Sequence, residues 1–504
     1  MSRLVIASVI MLASGLRVQC QPATAEQKPP EAKEAQKPEP LKERIATTQH
    51  TIRLGGQELK YTATAGTIQL KKEDGAPRAT VFFVAYTKDG VADLSTRPVT
   101  YAFNGGPGSS SVWLHMGCLG PKRVLLDDEG NPPPPPYRLV DNDQSILDRT
   151  DLVFIDPVAT GFSRPAQEKD AKEFHGVRED IASIADFIRI YTTRNGRWAS
   201  PKYLAGESYG TTRAAGLSGY LQQNLGMNLN GVILISSVLN FQTLAFDPGN
   251  DLPYILFLPT YTASAWYHKR LPKELLGDLR KTVAEVERFA AGEYAQALMK
   301  GDRLSNEERG SVVKKLARYT GLSPEYIDAT NLRIHIGRFC KELLRDKRRT
   351  VGRYDSRYQG MDRDAAGEDS EYDPSYAVAQ GPYTATFNQY VRQDLKFDTD
   401  LPYEILTRRV WPWNWAPYEN RYVNVAETLR GAMTQNPNLR VFVAKGYYDL
   451  ATPFFAADYV TDHLGLEPHL RPNISGDYFE AGHMFYLHKP SLDKLKRDLA
   501  EFIR

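Results

Sequence analysis

The stretch Gly206-Glu207-Ser208-Tyr209-Gly210 constrains this chain more than any other. It follows the apolar run Tyr203-Leu204-Ala205 and precedes a helix-like run from Thr211 to Leu225. A G-x-S-x-G pattern between a strand and a helix is the sequence form of a nucleophile elbow, a turn so tight that the residues flanking the serine must be small. The serine is forced into a strained backbone position with its hydroxyl exposed. Glycine and serine are also ordinary turn residues. The motif therefore acquires meaning only if the rest of the chain supplies a base, an acid and an oxyanion hole.

It does. Val99 to Phe103 reads as a buried strand, followed by Asn104-Gly105-Gly106-Pro107-Gly108-Ser109-Ser110-Ser111, a tight loop with bare backbone N–H groups. In an α/β-hydrolase this is where an oxyanion loop belongs. The N–H groups of Gly106 and Tyr209 are the expected donors, and losing one such donor costs ~10²–10³ in rate. Arg440 to Lys445 reads as a strand ending in Gly446-Tyr447-Tyr448-Asp449, and Asp477 to Glu480 as a strand ending in Ala481-Gly482-His483-Met484. Serine is a weak nucleophile until a base takes its proton, and histidine needs a third group to hold its tautomer. Ser208, Asp449 and His483 stand in the α/β-hydrolase chain order. Of the nine histidines, only His483 lies in an apolar, glycine-led turn after a strand near the C-terminus, with His488 its close rival.

Strands alternating with helices, among them an amphipathic run from Phe174 to Thr193, predict an α/β-hydrolase fold. Its central sheet should be mostly parallel, with helices on both faces and a helical cap insertion. A chain of 504 residues is too long for one ordinary core. The expected organisation is a signal peptide over 1–25, a Pro/Glu/Lys-rich disordered linker over 26–45, core over 46–250, cap over 251–405 and core again over 406–504. The signal reading rests on Arg3, the apolar run Leu4 to Leu16, and Ala23-Thr24-Ala25 as cleavage site. It implies a secreted or periplasmic protein with no stable membrane insertion after cleavage. Cleavage leaves Cys118 and Cys340, paired or free. Lys341, Arg345, Lys347, Arg348 and Arg349 read as a solvated helix face, and Trp411-Pro412-Trp413-Asn414-Trp415 as packing where the cap rejoins the core. A net charge of +2 with interspersed acids and bases excludes a nucleic-acid footprint. No phosphate loop and no metal-ligand spacing is present, so neither cofactor nor metal is expected.

Together, Asn104-Gly-Gly-Pro-Gly-Ser-Ser, Asp156-Pro-Val-Ala-Thr-Gly-Phe-Ser, Gly206-Glu-Ser-Tyr-Gly and Gly482-His-Met resemble the serine carboxypeptidases from about Val99 to Pro490. The resemblance implies release of one C-terminal amino acid from peptides with a free C-terminal carboxylate. Ser208, Asp449 and His483 fall on the family's triad positions, and Asn104, Gly105 and Glu207 on its carboxylate-binding positions. A carboxylate ligand accepts a hydrogen bond from Glu only if Glu is protonated. The family keeps that proton with a second glutamate, where this chain has Cys118. Only burial is then left to raise the pKa of Glu207, and the pH optimum should be less rigidly acidic. An esterase or acyltransferase on the same triad is the alternative. An inactive binding protein fits poorly with an intact triad, and a lipase with the lack of a long apolar lid.

Overall fold

The computed structural model describes residues 42–503; the signal peptide and most of the linker expected from the sequence lie outside them. Glu43 and Arg44, at the linker's end, are already engaged: Glu43 accepts from Arg194, and the Arg44 N–H donates to Thr67.

The strands are β1 Ile45–Leu54, β2 Gln57–Lys71, β3 Pro77–Lys88, β4 Val99–Phe103, β5 Lys122–Val124, β6 Leu139–Asp141 and β7 Asp151–Ile155. They continue with β8 Arg164–Pro165, β9 Lys202–Ser208, β10 Gly231–Ser237, β11 Thr350–Val351, β12 Gln359–Gly360, β13 Arg440–Gly446 and β14 Ile474–Phe479. Nine of them form one path, β1-β2-β3-β7-β4-β9-β10-β13-β14, with β8 beside β3. The β1–β2–β3–β7 pairings are antiparallel; every pairing from β7 to β14 is parallel.

The inner parallel strands β4, β7 and β10 are buried along their whole length because both faces are covered, whereas the edge strand β14 is largely part-exposed. Successive side chains enter different cores, as a period of two requires. Leu204, Val232, Leu234, Val441 and Val443 face one cluster, and Tyr203, Ala205, Ile233, Ile235 and Phe442 the other. The first is closed by helices Val177–Arg194, Tyr209–Leu225 and Ala426–Gln435, the second by Lys489–Phe502. The fold is thus an α/β-hydrolase fold, with a mostly parallel sheet between helical layers.

Between β10 and β13 the chain forms helices Leu252–Tyr267, Leu279–Phe289, Asn306–Thr320, Pro324–Ala329 and Ile336–Glu342. These enclose a separate apolar cluster around Phe257, Tyr261, Leu316 and Phe339. Ser305 caps its helix with Glu308 in a reciprocal box, and Ser323 caps the helix that Pro324 begins. The helix Pro374–Gln393 instead buries Ala379, Tyr383, Phe387 and Tyr390 in the core of the sheet.

Two expectations are corrected or resolved. Lys341 is not on a solvated face: it is buried and paired with buried Asp362, and Arg345 binds the carbonyls of Ala365 and Gly367. A helical charge pattern cannot reveal that a later loop folds back over it. Cys118 and Cys340 are buried free thiols. Among the described residues no helix is long and apolar enough to cross a membrane.

Candidate active site

Strand order places the site. After β4 the chain crosses to β7 on one side, then returns to β9 on the other. The carboxyl ends of β4 and β9 therefore flank a topological switch point, where ligands bind in open α/β sheets. The loop from Asn104 leaves the end of β4, and Ser208 is the last residue of β9.

Ser208 has φ 60° and ψ −132°, strained for a residue with a Cβ. It is the one part-exposed residue of an otherwise buried strand, and the helix starting at Tyr209 begins directly behind it. Glycine is required on both sides of the approach. A Cβ on Gly206 would lie 2.2 Å from the carbonyl oxygen of Gly210, and one on Gly105 would lie 2.4 Å from the backbone nitrogen of Tyr209. The Asn104 loop is thereby held against the elbow, with Gly106 and Tyr209 lining the same cleft as Ser208.

Asp449 and His483 follow the neighbouring parallel strands β13 and β14 and reach this cleft from the next positions in the sheet. His483 Nδ1 donates to Asp449 Oδ2 at 2.8 Å, and both side chains are buried. Asp449 Oδ1 accepts from the N–H groups of Ala451 and Thr452 at 2.8 and 2.9 Å. The Thr452 hydroxyl donates to Oδ2 at 2.7 Å. The residue is fixed from behind through its backbone, since the His483 backbone N–H donates to the Tyr354 carbonyl and its backbone carbonyl accepts from Ser236 Oγ. Burial opposes the imidazolium, but the charge and hydrogen bond of Asp449, helped by Glu207, outweigh it and hold His483 above its ordinary value. His488, the rival, bonds Ser491 at the start of the last helix.

Glu207 is 3% exposed. Its pKa is pushed up to about 7, mainly by burial. His483, the Tyr486 hydroxyl and Asn104 favour its charged form, and Asp449 opposes it. Tyr486 donates to Oε2 at 2.6 Å. Cys118 lies within electrostatic reach of Glu207, but its thiol turns to the Leu114 carbonyl at 3.5 Å. Asn104 Oδ1 accepts from the Leu114 N–H at 3.0 Å, which directs Nδ2 the other way. That Nδ2 is buried and meets no acceptor in good geometry among the described residues.

Three supporting residues escaped the sequence reading. Thr452 had a signal, because an Asp whose side chain caps the N–H groups two and three residues on is a recognisable turn. Arg213 had none: it is buried, pairs with Asp180 at 2.8 Å, and donates to the Asn104 carbonyl at 2.6 Å. Removing one partner of such a pair costs ~3–5 kcal/mol. Tyr486 belongs to a short helical turn after His483, and its aim at Glu207 is a tertiary fact. Trp413, in the tryptophan run, packs edge-on against Tyr209 at 5.6 Å.

The cleft holds about 190 Å³ and its wall is largely aromatic and aliphatic. No group of His, Cys, Asp and Glu side chains among the described residues is arranged to hold a metal ion.

Comparison with known proteins gives the family and the fold. Over 203 residues the chain is 27% identical to the pheromone-processing carboxypeptidase KEX1 of Yarrowia lipolytica, a match covering 39% of this chain and 29% of that protein's length. The crystal structure of KEX1(delta)p, a prohormone-processing carboxypeptidase from Saccharomyces cerevisiae, superposes with a TM-score of 0.54. It is 17% identical, and the match covers 87% of this chain and 90% of that one, a likeness of fold. The sequence model described as serine carboxypeptidase matches residues 56–473. With that model spanning most of its length, the chain belongs to the serine carboxypeptidase family.

Proposed function

We propose that the protein hydrolyses the C-terminal peptide bond of peptides, through an acyl-enzyme on Ser208. One observation carries the reading. Beside the strained serine lie a buried carboxyl that is still partly protonated near neutrality and an unpartnered amide donor, Asn104 Nδ2. Two donors together at one end of a cleft walled mostly by aromatic and aliphatic side chains suit a terminal carboxylate, and Glu207 donates only in its protonated form.

In this reading Ser208 Oγ attacks the scissile carbonyl carbon as its proton passes to His483 Nε2. The N–H groups of Gly106 and Tyr209 receive the oxyanion. Asp449 holds the Nδ1–H tautomer and stabilises the imidazolium. The C–N bond breaks, and His483 gives its proton to the leaving amine. Water then attacks the acyl carbon, losing a proton to His483, and the ester C–O bond breaks as that proton returns to Ser208. The apolar run from Leu4 to Leu16 supports secretion, which the N-terminal sequence of the exported protein checks.

The test compares N-blocked dipeptides as free acid, amide and ethyl ester across pH. Ester cleavage needs neutral His483, so its rate should rise with pH and level off above the raised pKa. Free-acid cleavage needs neutral His483 and protonated Glu207 together, so it should fall again as Glu207 ionises near pH 7, giving a bell around neutrality. Both limbs belong to the coupled pair rather than to either residue. Tyr486→Phe removes a bond that favours the carboxylate, so the descending limb should move to higher pH. A free-acid profile without a descending limb would remove Glu207 from the scheme. Esters cleaved with no peptide cleavage at any pH would favour the esterase or acyltransferase reading. The cysteine at position 118, which leaves Glu207 without the second glutamate of the family, is the observation that keeps that alternative open.

A further inference from the structure

Arg353 is the one lysine or arginine lining the cleft among the described residues. Its place is fixed by the catalytic strands. The Arg353 carbonyl accepts from the Leu450 N–H at 3.0 Å, next to Asp449, and the adjacent Tyr354 carbonyl accepts from the N–H of His483. The guanidinium lies 5.4 Å from the centre of the Tyr354 ring, which in turn lies 5.2 Å from the His483 ring. No carboxylate among the described residues forms an ion pair with it. The nearby carboxylate of Asp373 is committed to backbone, accepting from the N–H groups of Arg353, Tyr354 and Ser375. A cation with no ion-pair partner, whose side-chain neighbour at the cleft wall is the Tyr354 hydroxyl, is available to a ligand.

The wall also has two halves. Val238, Phe241 and Leu244 follow β10 on the elbow's side, where Phe241 packs against Tyr209. Trp113 stands next to Leu114, which orients Asn104; Trp113 meets Tyr376 at 5.9 Å, and Tyr376 meets Tyr354 at 6.2 Å. The Asn104–Glu207 end, Trp113, Tyr376, Tyr354 and Arg353 thus form one continuous wall. In the carboxypeptidase reading, a residue whose terminal carboxylate sat on Asn104 and Glu207 would have this wall within reach of its side chain.

We propose that Arg353 recognises a carboxylate on the side chain of the leaving residue, so that peptides ending in Glu or Asp are favoured over those ending in Lys or Arg. This rests on the carboxypeptidase reading and names its substrate class. The guanidinium is exposed, so the gain is that of a solvent-screened pair, about fivefold between Glu and its neutral isostere Gln. It should shrink as salt is raised, because the Debye length falls to ~3 Å at 1 M.

The test measures kcat/KM for N-blocked dipeptides with one penultimate residue and C-terminal Glu, Gln, Leu or Lys. The full chain, Arg353→Ala and Arg353→Glu are compared at low and high salt. The expected order is Glu above Gln and Lys lowest. The Glu/Gln ratio should collapse to about one in Arg353→Ala, Lys should overtake Glu in Arg353→Glu, and Leu-ending peptides should change less than about twofold. Equal rates for Glu and Gln in the unaltered protein overturn the proposal. So does a ratio that survives Arg353→Ala. Arg353→Ala that instead lowers all four peptides alike, and erases the advantage of free acid over amide, shows the guanidinium holding the terminal carboxylate and overturns it too. If no free-acid peptide is cleaved while esters are, the carboxypeptidase reading fails and this one falls with it.

Discussion

Ser208→Ala is expected to lower kcat on a free-acid dipeptide by about 10⁵–10⁶, with substrate affinity changed only a few-fold. Loss of a hydrolase serine costs about as much as loss of the whole triad, because its members act as a unit. Residual turnover comes from the oxyanion hole and binding alone. Affinity should survive because Asn104 Nδ2 and Glu207 lie outside the bond-making chain and keep their own supports, Leu114, Arg213 and Tyr486. The fold should survive as well, since Ser208 contributes no side-chain cap to the helix behind it. Its φ of 60° costs of order 1–3 kcal/mol. Ser208→Gly should therefore be as inactive as the alanine variant yet unfold at a higher temperature. Single-turnover kinetics, equilibrium binding of a free-acid dipeptide and thermal unfolding check these points. A rate loss below about a hundredfold in Ser208→Ala would mean that another group is the nucleophile.

Asp449→Asn should lower kcat by about 10⁴ with the structure intact. The reason is visible in what surrounds the carboxylate. Oδ1 accepts from two backbone N–H groups, so the oxygen of an asparagine must take that side; its NH₂ there would leave buried donors facing donors. The NH₂ is then turned to the place of Oδ2, which faces His483 Nδ1 and the Thr452 hydroxyl. A donor there makes Nδ1 the acceptor and moves the histidine proton to Nε2, the nitrogen that has to receive the serine proton. The substitution also removes the charge that raises His483, so the ascending limb of ester hydrolysis should move to lower pH even as the plateau falls. A plateau within tenfold of the unaltered protein would show that Thr452 or solvent can orient the imidazole, and Asp449 would lose its assigned part.

Much of the fold was legible in the sequence because it is written in short-range patterns. The elbow is encoded by steric need, with glycines wherever a Cβ would strike backbone. The inner parallel strands are encoded as apolar-rich runs, since both faces are buried. Asp449 and His483 were found just past two predicted strands, and the sheet order then brings them next to each other. The capping box of Ser305 and the N-cap of Ser323 are equally local. Sequence failed where a side chain's role depends on a segment that is distant along the chain. Lys341 looked like part of a charged surface until the loop carrying Asp362 covered it. Arg213 looked like a helix residue until Asp180 and the Asn104 carbonyl enclosed it.

Glu207 marks the boundary between the two kinds of information. Its place beside Ser208, and the cysteine at position 118, are facts of sequence. Its protonation near neutral pH was decided by tertiary structure. A carboxyl's pKa follows the free energy of putting its charge where it sits, and that depends on how completely water is excluded and on which groups point at it. Tyr486 and Asn104, far apart in the chain, supply those contacts, while the surrounding core supplies the burial. Ser208, Asp449 and His483 could be picked out from the chain as candidates for nucleophile, acid and base because each lies in or near a local motif. The chemistry of the carboxyl beside them could not, because desolvation and charge act through space.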